Sequence, residues 1–292
     1  MKPPAVVEHA LRQASLSSGI ASIRNLSGGC IHQVLEITLD GGRRVVAKIN
    51  SLDAKKLFEE EAHGLRALAA TKTVLTPHPL VVAADDSSAI LLLSFVEPGA
   101  AAPSTWRRLG ADLAALHAAD AGDRYGFDID NHIGSTKQPN SWHDDWVQFN
   151  AVNRLGFQLD AAMRNDLMTA REASMIQRVI ERLDQFIPRH PKPALLHGDL
   201  WSGNALPTSD DRISLIDPAC SVGDGWADIA MMKLFGGFPS ECLGAYRAAV
   251  NDHDRIDDRI TVYQLYHVLN HVNIFGRGYV SQAMMLARSL GT

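Results

Sequence analysis

The sequence predicts an α+β chain in two lobes, a small antiparallel sheet with helices packed on it followed by a larger, mostly helical part. Three observations predict this. Five short runs rich in Val, Ile and Leu fall before residue 97, punctuated by Gly, Pro and Asp. After residue 97, apolar residues recur mainly with helical spacing. Within that helical part lies one compact strand–turn–strand stretch, residues 194–217, carrying Asp199, Asn204 and Asp217. The hinge-like Glu97-Pro98-Gly99 divides the chain into residues 1–96 and 97–292.

Composition excludes several function classes. The chain has 292 residues, 46% hydrophobic and 21% charged, which is an ordinary globular balance. A net charge of −5 with mixed signs argues against a nucleic-acid binder, which needs a basic face. Cys30, Cys220 and Cys242 are odd in number and have no Cys-x-x-Cys spacing, so neither a disulfide framework nor a zinc site follows. Met1-Lys2-Pro3-Pro4 lacks an apolar signal core, and no run of 18 apolar residues occurs. A cytoplasmic protein without membrane contact is expected.

Taken in order, residues 4–17 form an amphipathic helix with Val7, Ala10, Leu11 and Leu16 on one face. Strands follow at 23–26, 34–39 and 44–49, the first two joined through Ser27-Gly28-Gly29-Cys30 and the next two through Asp40-Gly41-Gly42. A helix over 54–70 carries Leu57, Glu61, Leu65 and Leu68 at helical spacing, with Glu59 and Glu60 expected on the solvated face. Strands at 77–82 and 89–96 complete the first part. In the second, 106–117 is a helix with Leu109, Leu113 and Leu116 as its core stripe, and 126–142 is a long irregular segment. Helices over 153–170 and 172–186 follow, stopped by Pro188, Pro191 and Pro193. The last predicted helix, 259–275, presents Leu265, Val268, Leu269 and Val272.

The chemistry gathers in residues 197–204, His197-Gly198-Asp199-Leu200-Trp201-Ser202-Gly203-Asn204, and in Asp217-Pro218-Ala219. An Asp five residues ahead of an Asn, entered from the apolar Ala194-Leu195-Leu196, matches a phosphotransferase catalytic loop. There the Asp receives the acceptor hydroxyl's proton and the Asn amide oxygen holds magnesium. The strand 213–216 delivers Asp217, a second carboxylate for the metal. Two acids and one amide are the hard oxygen ligands that magnesium takes.

The first lobe supplies the complement. Gly28, Gly29 and Cys30 lie between its first two strands, and glycines let backbone N–H groups approach phosphates without a Cβ in the way. Lys48, near the end of the third strand, stands against the α- and β-phosphates, and Glu61 is the carboxylate that orients it. Moving that partner by one residue would rotate it about 100° around the helix. Backbone groups around Phe95 and Val96 would meet the adenine. This is the arrangement of a protein-kinase-like fold with ATP and magnesium as cofactors. The short passage from Asp217 to Met231 leaves no room for a long activation loop, which disfavours a protein kinase. Asp228 is expected to brace the loop through backbone contacts. Cys30 is open to two readings, a small residue that fits the turn or a thiol whose oxidation blocks the nucleotide.

His197-Gly-Asp-Leu-Trp-Ser-Gly-Asn204 closely resembles the signature of the fructosamine kinase (ketosamine-3-kinase) family, relatives of aminoglycoside phosphotransferases and choline kinases. Trp201 is the distinguishing letter. Asn131-x-Ile133-Gly134, Gln138-x-Asn140-x-Trp142, Asp145-Trp146-x-x-Phe149, Leu234-Phe235-Gly236-Gly237-Phe238, His267-x-Leu269-Asn270-His271 and Phe275-Gly276-x-Gly278-Tyr279 resemble the same family along the whole chain. The resemblance implies phosphorylation of the C3 hydroxyl of a small-molecule or protein-bound ketosamine, with Trp201 beside the acceptor. A monomer or weak dimer is expected. The chain departs from the family at Ser221, Val222, Gly225 and Trp226, where an aromatic pair and a charged pair are usual; none of these four is a metal ligand in this scheme. The rival readings are an aminoglycoside- or choline-type phosphotransferase and a nucleotide-binding pseudokinase. Retention of Lys48, Asp199 and Asp217 speaks against the last. His267 and His271, four residues apart, have no Glu between them in the manner of a zinc helix, so packing is the expected role.

Overall fold

A computed structural model describes residues 4–16, 19–26, 32–252 and 254–291. Gly28, Gly29 and Cys30 of the expected phosphate loop lie outside the described residues. The chain falls into two compact units, Met1–Ala100 with Leu206–Asp217, and Ala101–Ala205 with Pro218–Thr292.

In the first unit, β1 (Ile20–Asn25), β2 (Gln33–Leu39), β3 (Arg44–Ser51), β4 (Pro79–Ala84) and β5 (Ser88–Ser94) form one antiparallel sheet in the order β1-β2-β3-β5-β4. Side chains alternate across a strand, and here both faces are covered. Val45, Ala47 and Ile49 of β3, with Ile90 and Leu92 of β5, pack under helix α1 (Ala5–Gln13) through Val6, Val7, Ala10 and Leu11. Ala89, Leu91 and Leu93 face the other way, onto Phe58, Ala62 and Leu65 of helix α2 (Lys55–Ala70). Lys48 is out of step with Ala47 and Ile49, so the pleat turns it to the α2 side. The residues 206–217 return to this unit: Leu75 bridges to Ser214, and the Ser209 N–H donates to the Glu97 carbonyl at 2.9 Å.

The α2 helix buries more than one stripe. Glu60, expected in solvent, is buried, four residues before the buried Gly64 and 3.9 Å from the Lys56 ammonium. A helix covered only by the sheet would leave that position wet.

In the second unit, Leu109, Leu113 and Leu116 of the helix Pro103–Ala118 are buried as expected. That helix packs closely on Ser240–Ala249, and a Cβ on Gly110 would fall 2.1 Å from the Cys242 carbonyl oxygen. Strand Pro193–Leu196 pairs antiparallel with Ser221–Asp224, Leu196 opposite Ser221. The helix expected over 153–170 is instead a wide π-type turn, Asn150–Gly156, running into Phe157–Arg164. The next, expected to 186, breaks after Ala170–Glu181 and resumes as Leu183–Phe186. Among the described residues no helix is long and apolar enough to cross a membrane.

Candidate active site

The first unit builds a buried cation. Lys48 is 6% exposed, and its ammonium donates to Glu61 Oε1 at 2.7 Å and to Asp217 Oδ1. Two carboxylates and one ammonium leave no uncompensated charge on the lysine, the condition under which a buried lysine keeps its proton. Burial alone would lower the Lys48 pKa, but Glu61 and Asp217 together hold it above the ordinary lysine value. Burial pushes Glu61 up, against the pull of Lys48. Glu61, rather than Glu59 or Glu60, thus occupies the expected position. Asp217 has φ +55°, a left-handed conformation that Asp tolerates better than most residues. Its side chain is 45% exposed, so its carboxylate both touches Lys48 and faces solvent. Phe95 and Val96 are half-buried just beyond β5, with the Arg44 guanidinium 4.1 Å over the Phe95 ring.

The second unit builds the loop of residues 197–204. Strand Pro193–Leu196 ends in His197, and the chain turns at Gly198, whose φ is +83°. A Cβ there would fall 2.0 Å from the Ala219 carbonyl oxygen, so only glycine passes. Asp228 fastens this turn from below: Oδ2 accepts from the His197 N–H and Oδ1 from the Gly198 N–H, each at 2.8 Å. His117 lies 3.2 Å from Asp228 Oδ2 and 2.9 Å from the Tyr246 hydroxyl. Burial would raise the Asp228 pKa, yet the His117 hydrogen bond and charge, with the loop N–H groups, hold it below the usual carboxylate range. The brace was legible; its support by His117, read only as the end of a core helix, was not. A histidine on a buried helix face was the available signal.

Asn204 is buried, and its amide N–H donates to the Asp199 carbonyl at 2.8 Å and reaches Asp199 Oδ2 at 3.4 Å. The loop thus closes on itself across five residues. Trp201 is 42% exposed and folds back over the turn, where a Cβ on Gly203 would fall 2.2 Å from its ring.

The segment 126–142 ties to the residues after Asp217. Gln138 donates to the Ala219 carbonyl at 3.0 Å and Asn131 to the Cys220 carbonyl at 2.8 Å. Arg154, fully enclosed, donates to Asn140 Oδ1 at 2.8 Å and to the Pro139 carbonyl at 2.7 Å. Of the two tryptophans there, Trp146 is a pin: it is 2% exposed and its N–H donates to the Tyr263 hydroxyl at 2.8 Å. Trp142 is at the surface, with the Arg124 guanidinium 5.3 Å over its ring. The departures at 221–226 are also buried. Gly225 lies where a Cβ would be 2.7 Å from the His117 ring, and Trp226 packs edge-on against Tyr246. They therefore shape the support behind the loop.

A cavity of about 30 Å³ lies behind the loop, lined by Gly198, Asp228, Arg154, Tyr266 and His267 among others. His267 Nδ1 is buried with no hydrogen-bond partner among the described residues, while the His271 Nδ1–H donates to the His267 carbonyl at 2.8 Å.

With this geometry in view, the comparisons are specific. The fructosamine kinase family model matches residues 4–291. This chain belongs to the fructosamine kinase family. It is 38% identical to a probable ketoamine kinase of Synechocystis over 98% of this chain and 97% of that one. It is 36% identical to a chloroplastic protein-ribulosamine 3-kinase of Oryza sativa subsp. indica, covering 97% and 83%. A crystal structure of a protein assigned as a fructosamine-3-kinase in Haemophilus somnus superposes with a TM-score of 0.89 at 28% identity, covering 98% and 97%. An aminoglycoside phosphotransferase superposes at 0.65 with 17% identity, covering 98% and 100%, which establishes the protein-kinase-like phosphotransferase fold.

Proposed function

We propose that this protein is an ATP-dependent ketosamine kinase that phosphorylates the C3 hydroxyl of ribulosamine or fructosamine adducts. The observation that carries the reading is the closed loop in which Asn204 holds the Asp199 backbone, in a chain of the fructosamine kinase family. Asp199 aligns the acceptor hydroxyl, Lys48 steadied by Glu61 meets the phosphates, and Trp201 offers an apolar face to the sugar's C–H surface. The glycine loop of Gly28, Gly29 and Cys30, and the backbone at Phe95 and Val96, complete the nucleotide site in this reading.

The donor set suits magnesium. Asn204 uses its amide N–H on the Asp199 carbonyl, so its oxygen is the end that can serve as a hard ligand, and Asp217 presents a half-exposed carboxylate. Asn204 and Asp217 would hold magnesium, which would supply charge neutralisation on the phosphates.

Asp199 is not a strong base toward an alcohol. A carboxylate near ~3.9 against roughly ~16 for a water-like hydroxyl leaves a gap of about 12 pKa units. Ground-state deprotonation would then cost on the order of 16 kcal/mol at 1.36 kcal/mol per unit. The proton therefore passes to Asp199 late, as the new O–P bond forms and the bond from the γ-phosphorus to the ADP oxygen breaks. Alignment and charge neutralisation carry most of the rate. Once the product loses a C1 proton to form the 1,2-enaminol, the phosphate on C3 is expelled with its bonding electrons, and hydrolysis of the resulting C1 imine frees the amine, which makes the reaction a deglycation step.

The test is ATP consumption across ribulosamines, fructosamines, free sugars, choline and aminoglycosides. Turnover confined to the ketosamines is expected. Turnover of choline or an aminoglycoside with the ketosamines ignored would contradict the reading.

A further inference from the structure

Three of the family-like phrases have no part in phosphoryl transfer: residues 234–238, 267–271 and 275–279. The fold brings them to one surface of the second unit. The His271 ring is the centre, with Phe235 at 4.9 Å, Tyr279 at 5.1 Å and Phe275 at 5.3 Å between centroids. Phe275 and Tyr279 are themselves 5.9 Å apart. Core aromatics would be covered, but Phe235 is 44% and Phe275 64% exposed.

This patch adjoins the catalytic loop. Gly237, two residues after Phe235, packs so closely on Ser202 that a Cβ would fall 2.5 Å from its hydroxyl oxygen. Ser202 directly follows Trp201. A ketosamine has two halves: the polyol that must reach Asp199, and the substituent on nitrogen, which must leave the loop over some neighbouring surface. Resting on the ketosamine kinase reading, we propose that the aromatic patch of Phe235, His271, Phe275 and Tyr279 receives that substituent, the methylene stem of a lysyl-type amine.

The chemistry fits. The methylenes of such a stem gain from covering exposed rings. The patch adds no competing positive charge of its own. The His271 N–H is committed to the His267 carbonyl, and burial keeps the imidazole below the usual histidine range, hence neutral at pH 7. Arg277, on the intervening turn, is held by the Leu167 carbonyl at 2.9 Å and by Glu172 at 3.2 Å.

The experiment compares two ribulosamines, one on the ε-nitrogen of Nα-acetyl-lysine amide and one on methylamine, in the unaltered protein and in Phe235→Ala/Phe275→Ala. For the lysine adduct the double variant should raise KM about 10-fold, with kcat and the KM for ATP within about 2-fold. For the methylamine adduct KM should be unchanged, and Phe275→Tyr should keep the lysine KM within about 2-fold. An unchanged lysine KM, or equal rises for both adducts, overturns the proposal. So does a variant that only shifts the protein from dimer to monomer in sedimentation, which would mark the patch as a contact with a second copy. Failure of the unaltered protein to phosphorylate either adduct would instead sink the ketosamine reading, and this proposal with it.

Discussion

Gly198 carries the sharpest demand of any single residue near the loop, because it combines φ +83° with a Cβ position 2.0 Å from a backbone oxygen. Gly198→Ala should lower stability by about 2–3 kcal/mol, of the order stored by strained backbone, and cut kcat at least about 100-fold. Urea unfolding and steady-state kinetics check both. His267 sets a pH limit. Burial pushes it down to about 3, from 6.5 when exposed, so between those values the unfolded chain binds more protons than the folded one. Stability therefore falls as pH drops through that window, by up to about 1.4 kcal/mol per pH unit. His267→Gln should flatten the slope of unfolding free energy between pH 4 and 6; an unchanged slope would show that His267 does not titrate this way. At this scale much was legible beforehand. Lys48 reaches Glu61 because alternation along β3 and helical rotation along α2 are local rules readable residue by residue.

At the scale of elements, the loop of residues 197–204 is held by a carboxylate from the helix Trp226–Leu234 that accepts two backbone N–H groups. Asp228→Asn keeps the size but offers one accepting oxygen and sets an NH₂ against an N–H donor. It should cost about 1.5–3 kcal/mol, the range for a hydrogen bond to a charged group, and lower kcat without changing the KM for ATP. Thermal unfolding and kinetics read this directly. The elements that sequence reasoning mistook are those fixed by distant partners. The wide turn Asn150–Gly156 carries Arg154, which is bound by Pro139 and Asn140, and Asn153, which donates to the Ser141 hydroxyl at 2.9 Å. Periodicity in 153–170 announces a helix but contains nothing of residues 139–141, so the change of winding was not readable. Buried Glu60 is the same case: local amphipathicity gives one apolar stripe, and tertiary cover decides the rest.

At the scale of the whole molecule, each unit encloses a charged network of its own. The first encloses one lysine with two acids. The second encloses Arg259 on Asp224, at 2.9 and 2.8 Å, and on Asp252 at 2.7 Å, with the Tyr263 hydroxyl donating to Asp224 at 2.6 Å. Such networks are strongly destabilising to break once formed, and the second holds Asp224 at the end of the strand that pairs with Pro193–Leu196. A nucleotide that binds only the folded chain adds its own stabilisation. ATP with magnesium at 100 times its dissociation constant should stabilise by about 2.7 kcal/mol, read as a shift in urea midpoint, and Lys48→Ala should lose that increment. An equal increment in the variant would show that Lys48 does not meet the phosphates. The most direct test of the account is Asp199→Asn, assayed for ketosamine phosphorylation and, separately, for ATP binding. The account predicts a kcat lower by about 10²–10⁴-fold with the ATP dissociation constant within about 2-fold of the unaltered protein. A variant that turns over at the original rate would contradict it.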